Sequence, residues 1–303
     1  KLVKRGITRI LTPGTLLEDQ QLDASSNHFL VALDLDKKAA FGSWLDLSTG
    51  KFTLTQSSSL QDFLSILSAL SPREVLLPES LPSKVAHWEG SDLFQDELDR
   101  ILTDVTQTER PDFDFDQKAG AREVMESLGV MNLEGFGIGL SHPGLGPAGA
   151  LLVYAQDVLK GKPGNLRRIE EFRDGESLLV DPSTQRNLEI FKTSAQSRKG
   201  SLLDSMDGTV SAGGARLLEA YLSSPQRDLA EIRRRQNCVS EFSVLPVVVE
   251  EVAGILKSGS DLERILGRLR NRLVRPRELG GLRATLRGLP GIRKTLEQVG
   301  DSY

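Results

Sequence analysis

Residues Leu179–Leu222 read LVDPSTQRNLEIFKTSAQSRKGSLLDSMDGTVSAGGARLLEAYL. The stretch carries no nucleophile–base pair, no metal-ligand spacing and no phosphate loop. Its content is structural. It reads as a strand, a helix, a turn marked by Ser and Thr, and then a helix that tolerates glycine. The chemistry that defines this chain is therefore expected to be that of a scaffold.

On the N-terminal side the text alternates between strands and helices. Residues 1–26 are a basic, turn-rich lead-in, with Thr12-Pro13-Gly14-Thr15 as a turn in which proline presets φ and glycine accepts φ > 0. Residues 28–56 read as a three-stranded meander: His28 to Leu35, Phe41 to Leu47, a hairpin turn at Ser48-Thr49-Gly50, and a return from Lys51 to Thr55. Leu60, Phe63, Leu64, Ile66, Leu67 and Leu70 have helical spacing, and Glu74 to Leu77 is a short strand ended by Pro78. Residues 79–115 are expected to hold a strand, loops and a short helix. Further helices are expected at Ala119 to Leu128 and Pro147 to Leu159. Gly161-Lys162-Pro163-Gly164 is the best linker, dividing an α/β domain (27–160) from a mostly α-helical one (161–303).

On the C-terminal side the text is helical. Asp228 and Glu231 can cap the start of a helix that runs to Ser243. Ser260-Asp261-Leu262-Glu263 reads as a capping box, followed by an apolar stripe of Leu262, Ile265, Leu266, Leu269 and Leu273. Pro276 opens a last helix carrying Leu279, Leu282 and Leu286.

Length and charge agree with two domains. The chain has 303 residues, 39% hydrophobic and 26% charged, which is ordinary for a globular protein. No apolar run is long enough to cross a bilayer, and no signal peptide opens the chain. The lone Cys238 excludes an internal disulfide and fits a reducing, cytoplasmic compartment; on a stripe with Ile232 and Phe242 it reads as a buried small hydrophobe. The net charge of −4 is unevenly spread. Residues 1–159 hold 13 Lys and Arg against 23 Asp and Glu, net −10; residues 160–303 hold 25 against 19, net +6. The acidic half would repel nucleic-acid phosphates.

Several motifs resemble the bacterial MutS mismatch-repair family, in collinear order. They are Asp181, Thr184, Arg186, Asn187, Leu188 and Glu189; Gly200-Ser201-Leu202-Leu203; and Gly214-Ala215-Arg216-Leu217-Leu218. Arg5, Thr8, Arg9 and Thr12 to Leu16 resemble the linker after that family's mismatch-reading domain. Asp46 to Phe52 and Ala148 to Leu152 with Tyr154 resemble its connector domain, and Asp261 to Leu266 with Arg275 to Leu279 resemble its core domain. Tyr221 stands where the family usually has tryptophan, Gln226 where leucine is common after proline, and residues 83–118 match nothing distinctive. Because the chain opens on Lys1, the resemblance implies an excised piece. It would comprise a ribonuclease-H-like α/β connector domain and then the first part of a mostly helical core, the lever. Such a piece would be non-catalytic and would need no cofactor. The parent would bind ATP with magnesium and mismatched DNA through other domains, act as a homodimer and recruit MutL, partly through the connector.

Other chemistries read less well. Two-metal hydrolysis needs converging carboxylates; Asp34, Asp36 and Glu74 read as solvated strand-end acids, and Asp62 is the only acid in the helix between. Asp112, Asp114, Asp116 and Glu123 have calcium-loop spacing, but Gln117 stands where glycine is needed; an extended segment with Phe113 and Phe115 packed inward and Asp116 as a helix cap fits better. Ser48 to Lys51 lacks the glycine of a phosphate loop, since Leu45 occupies that place and Phe52 follows the lysine. His28, His87 and His142 are scattered, without metal spacing, and suit exposed or edge positions. Arg264, Arg268, Arg272 and Arg275 follow one helical face, and Arg233 to Arg235 form a second cluster. An electrostatic seam between helices or domains is the preferred reading of the first set; direct phosphate contact, making the chain a nucleic-acid-binding module, is the alternative.

Overall fold

The computed structural model describes residues 10–17, 22–87, 91–173, 175, 177–297 and 299. Arg5, Thr8 and Arg9 lie outside the described residues. The chain divides into two compact units: an α/β unit running to residue 174, and a helical unit from residue 175 that also takes in Ala24–Ser26.

The α/β unit is built on the expected meander. β1 (Leu30–Leu35), β2 (Ala40–Asp46) and β3 (Lys51–Ser57) pair antiparallel, with Leu30 opposite Leu45 and Asp46 opposite Lys51. The hairpin turn is held by the buried Asp46. Its carboxylate accepts from the Ser48 amide (2.8 Å) and hydroxyl (2.6 Å), while Gly50 takes φ +83°. The phosphate-loop lookalike is thus a turn. Ser59 caps α1 (Leu60–Leu70) by accepting the Asp62 amide, and α1 leads to β4 (Glu74–Pro78), parallel to β1.

Residues 79–115, expected to hold a strand, loops and a short helix, form α2 (Leu81–Val85), α3 (Ser91–Ile101), β5 (Thr106–Arg110) parallel to β4, and a 3-10 turn at Asp112–Phe115. That turn corrects the extended reading: Phe115 is buried, but Phe113 is 73% exposed, because a 3-10 turn places alternate residues on different faces. Asp116 does cap α4 (Gln117–Leu128) through the Ala119 amide. A second 3-10 turn (Glu134–Phe136) precedes α5 (Leu145–Leu159). α5 is apolar nearly all round and buried in the core with Leu30, Leu45, Leu54 and Leu76.

The sheet does not end where the linker was expected. Gly161 to Gly164 is only a bend; Asn165 Nδ2 then donates to the Leu47 carbonyl at 2.7 Å. β6 (Glu170–Phe172) follows and pairs parallel with β3, giving the order β5-β4-β1-β2-β3-β6. Trp44 meets Phe172 edge to face, with ring centroids 5.9 Å apart.

The helical unit holds α6 (Pro182–Asn187), α7 (Leu202–Met206), α8 (Ala212–Ser223), α9 (Leu229–Ser243), α10 (Pro246–Ser258), α11 (Leu262–Arg270) and α12 (Pro276–Leu296). A six-stranded mixed sheet followed by helices is the α/β-then-helical order expected. The strand expected at Leu179 does not form. Ser177 makes a single bridge to Gln226, and Asp181 and Pro182 turn the backbone into α6 at once.

Two further corrections concern α11. Its cap is Asp261, which accepts the Arg264 amide, and not Ser260, whose amide donates to the Thr285 hydroxyl. Its apolar stripe is only partly covered: Ile265 is buried and Leu262 half-buried, but Leu266, Leu269 and Leu273 are about 40% exposed, while Arg264 and Arg268 are buried. The buried guanidinium groups are satisfied there, Arg264 by the Ser26 carbonyl and Arg268 by Glu278. Cys238 on α9 is only half-buried, since no α9 side chain is fully enclosed. No helix among the described residues is long and apolar enough to cross a membrane.

Candidate functional site

Two buried polar clusters organise the chain, one in each unit. In the α/β unit, Glu74 is fully buried at the start of β4. Its carboxylate accepts from the Gly14 amide (3.0 Å), the Thr108 hydroxyl (3.0 Å) and the Tyr154 hydroxyl. One acid therefore fastens the Thr12–Thr15 turn, β5 and α5. Gly14 has to be glycine, because a Cβ there would lie 2.8 Å from Leu30 Cδ1 and 2.9 Å from Glu74 Cβ. Burial, then the Glu74 hydrogen bond, pushes the Tyr154 phenol upward. The expectation that Glu74 is solvated is wrong: three donors replace water. Glu74→Ala strands those donors and is expected to cost about 3 kcal/mol. Glu74→Gln, which keeps the shape, should cost less. Trp44 is buried in β2, so urea unfolding followed by its fluorescence reads this unit. Equal midpoints for wild type and Glu74→Ala would refute the anchoring role.

In the helical unit, Arg216 on α8 is 3% exposed. Its guanidinium donates to both Asp261 oxygens (2.7 and 3.0 Å), to Glu263 (2.6 Å) and to the Ala24 carbonyl (3.0 Å). Arg264 lies beside it, donating to the Ser26 carbonyl at 2.8 Å with its Nε 3.9 Å from Asp261. Arg268 pairs with Glu278 at 2.8 Å. Burial opposes the Arg216 charge, but the hydrogen bonds from Asp261 and Glu263 more than offset it and raise its pKa further. Burial likewise pushes Asp261 up, and the Arg216 hydrogen bonds overturn that push, leaving its carboxyl below the usual range. A lowered carboxyl stabilises the fold fully above the ordinary value of 3.8, and the contribution disappears as pH falls through the lower folded value. Acid titration followed by circular dichroism should therefore show the helical unit losing stability as pH falls below 3.8, and Asp261→Asn should flatten that limb. An unchanged acid limb in Asp261→Asn would count against it.

The four arginines of the candidate face separate. Arg264 and Arg268 are interior on α11, whereas Arg272 lies beyond its end in the left-handed region (φ +59°), exposed, and Arg275 precedes α12 with its amide on the Glu278 carboxylate. In the second cluster, Arg234 and Arg235 hold Glu231 and depress its carboxyl to about 2, and Arg235 covers the Tyr221 ring at 3.8 Å. Sequence reasoning noticed Arg216 only as part of a motif. Its acids lie 45 and 47 residues away, and no local signal joins them.

The nuclease acids do not converge. Leu30 is level with Glu74 in the β1–β4 pairing, so Asp34 stands four residues further along, about 13 Å. Asp34 is partly buried, which raises its pKa against the pull of Lys84 at 2.5 Å, and Asp36 binds the Lys38 and Ala39 amides of its own turn. The calcium-spaced acids also disperse: Asp112 to the Ser80 amide, Asp114 to Arg110, Asp116 to the α4 cap. No group of three or more metal-ligating side chains occurs among the described residues. His28 is buried rather than at an edge, and His142 sits 3.2 Å from Glu171 with its pKa lowered by burial; His87 is exposed, on the Ser83 carbonyl.

The family model described as MutS domain II matches residues 28–169, and that described as MutS domain III matches residues 183–302. Among curated relatives, the DNA mismatch repair protein MutS of Symbiobacterium thermophilum is 34% identical, over 98% of this chain and 34% of its own length. That of Thermosynechococcus vestitus is 32% identical over 100% and 35%, and that of Roseiflexus castenholzii 30% identical over 98% and 30%. The chain thus spans about a third of the length of the curated relatives it matches. The chain belongs to the MutS family, and its matches cover that family's domains II and III.

Proposed function

We propose that this chain is a non-catalytic transmitter of DNA mismatch repair, carrying conformational change between mismatch-binding and ATP-binding regions of a longer cytoplasmic protein. The α/β unit would be its ribonuclease-H-like connector and the helical unit the first part of its core. The longer protein would bind mismatched DNA, and ATP with magnesium, outside this chain, and act as a homodimer. The connector would contribute to docking MutL, its net negative half suiting a basic partner patch. The observation that carries the reading is the buried Arg216, held by Asp261 and by the more exposed Glu263, with the buried Arg264 beside it. The charges that could have met a ligand there are spent on holding two helices and the Ala24–Ser26 segment as one body. A segment tied to two helices in this way is either gripped or released as those helices keep or change their relation, and such a two-state element is what transmission between distant sites needs.

Fluorescence anisotropy tests it. Binding to DNA should be no tighter than non-specific affinities of about 1 μM to 100 μM, equal for a G·T mismatch and a matched duplex, and ATP should not be hydrolysed. Nanomolar preference for the mismatch would overturn the reading. The arginine-face alternative is separated by Arg272→Glu with Arg275→Glu, both exposed. If any DNA binding vanishes while circular dichroism is unchanged, the binding-module reading gains. Arg268 is unsuitable for this purpose, since reversing it would break its pair with Glu278.

A further inference from the structure

Residues Ala24–Ser26 leave the α/β unit for three residues, join the helical unit, and return at Asn27. They form a turn with no regular ladder of their own. Two of their backbone carbonyls are nonetheless taken by guanidinium groups that are almost fully buried, Ala24 by Arg216 and Ser26 by Arg264. These arginines come from different helices, α8 and α11. On either side of the tripeptide the backbone is pinned again within the α/β unit: the Asp23 amide donates to His28 Nε2 (3.2 Å) and the His28 amide to Asp46 Oδ2 (3.2 Å).

The acids make this attachment conditional. Arg216 is held in a fixed fork by Asp261 and Glu263, and Asp261 also caps the helix that carries Arg264. A planar guanidinium so constrained cannot follow a swinging loop. Both carbonyls are satisfied together only when α8 and the start of α11 keep their present relation. Displacement of one helix against the other removes a donor from the tripeptide and leaves the flanking pins at Asp23 and His28 to hold the segment alone, so that their amides open more often.

We propose that Ala24–Ser26 is a releasable strap, clipped to α8 and α11 through its two carbonyl oxygens. Opening the clip is then the local step by which a rearrangement of those helices reaches the residues leading into β1. This rests on the transmitter reading and names the element that would do the transmitting.

Amide hydrogen exchange on the whole chain tests it, in the absence of DNA and nucleotide, so that its failure and that of the transmitter reading are separable. In Arg264→Met the amides of residues 23–28 should exchange at least about tenfold faster, a ratio of local opening constants, with β1–β3 and the α10–α12 amides unchanged. Arg264→Gln, which retains a donor for the Ser26 carbonyl, should lie between. Unchanged exchange at 23–28 in a folded Arg264→Met chain overturns the strap. If Arg264→Met loses protection throughout α10–α12 as well, Arg264→Gln decides: faster exchange confined to 23–28 supports the strap, and wild-type exchange there overturns it.

Discussion

Arg216→Met should unfold the helical unit about 3 kcal/mol more easily than wild type, because removing one member of a buried ion pair leaves its partners charged and unpaired. Asp261 has a side chain only 17% exposed and would carry most of that cost, whereas Glu263, at 63%, can turn to water. Far-UV circular dichroism in urea reads the helical unit, and the fluorescence of Trp44, in β2 of the α/β unit, should show an unmoved transition. The triple variant Arg216→Met, Asp261→Asn, Glu263→Gln should recover part of the loss, since no uncompensated charge then stays inside. Loss below about 1 kcal/mol in the single variant, the level of an exposed pair, would mean that the Arg216 cluster is an ordinary surface network.

The second large effect concerns glycine at a helix crossing. α4 and α5 meet backbone to backbone: a Cβ on Gly120 would lie 2.0 Å from the Leu145 carbonyl oxygen, and one on Gly149 2.4 Å from the Gly120 Cα. Gly120→Ala should therefore destabilise the α/β unit by about 3 kcal/mol, the upper range for overpacking. Helix propensity predicts the reverse, since alanine is about 1 kcal/mol better than glycine within a helix. The sign of the change decides between the two effects. Gly254→Ala in α10, where a new Cβ meets nothing within 4 Å, is the control and should be neutral or stabilising. If both substitutions stabilise, the close crossing is not a real constraint.

Much of the α/β unit was legible because its elements satisfy local rules. The meander alternates, the Thr49-Gly50 step needs a positive φ, and Leu60, Phe63, Leu64 and Leu67 repeat at helical spacing. β5 was expected only as a strand somewhere in residues 79–115 and not placed, since Thr106–Arg110 is a polar edge strand with no buried residue to set an alternation. The family motif around Gly214-Ala215-Arg216 was visible, but its physical reason was not: Arg216 acquires meaning only from acids on another helix. The same blindness misoriented α11. Hydropathy assigns leucines inward and arginines outward, and cannot weigh the Ser26 carbonyl that meets Arg264 from 238 residues away or the Glu278 of the next helix that meets Arg268. Glu74 was misjudged because an acid at a strand start is usually wet; Gly14, Thr108 and Tyr154 come from three separate segments.

β6 has a practical meaning for anyone dividing this chain. The natural place to cut, by composition, is Gly161–Gly164, yet a chain ended there loses Glu170–Phe172. The amides and carbonyls of Thr53–Thr55 would become an open border flanked by the bare ring of Trp44. Such a border is a template for another molecule's strand. The shortened piece would tend to swap or stack with its own copies, and oligomers made in that way would reflect the scissors rather than the protein.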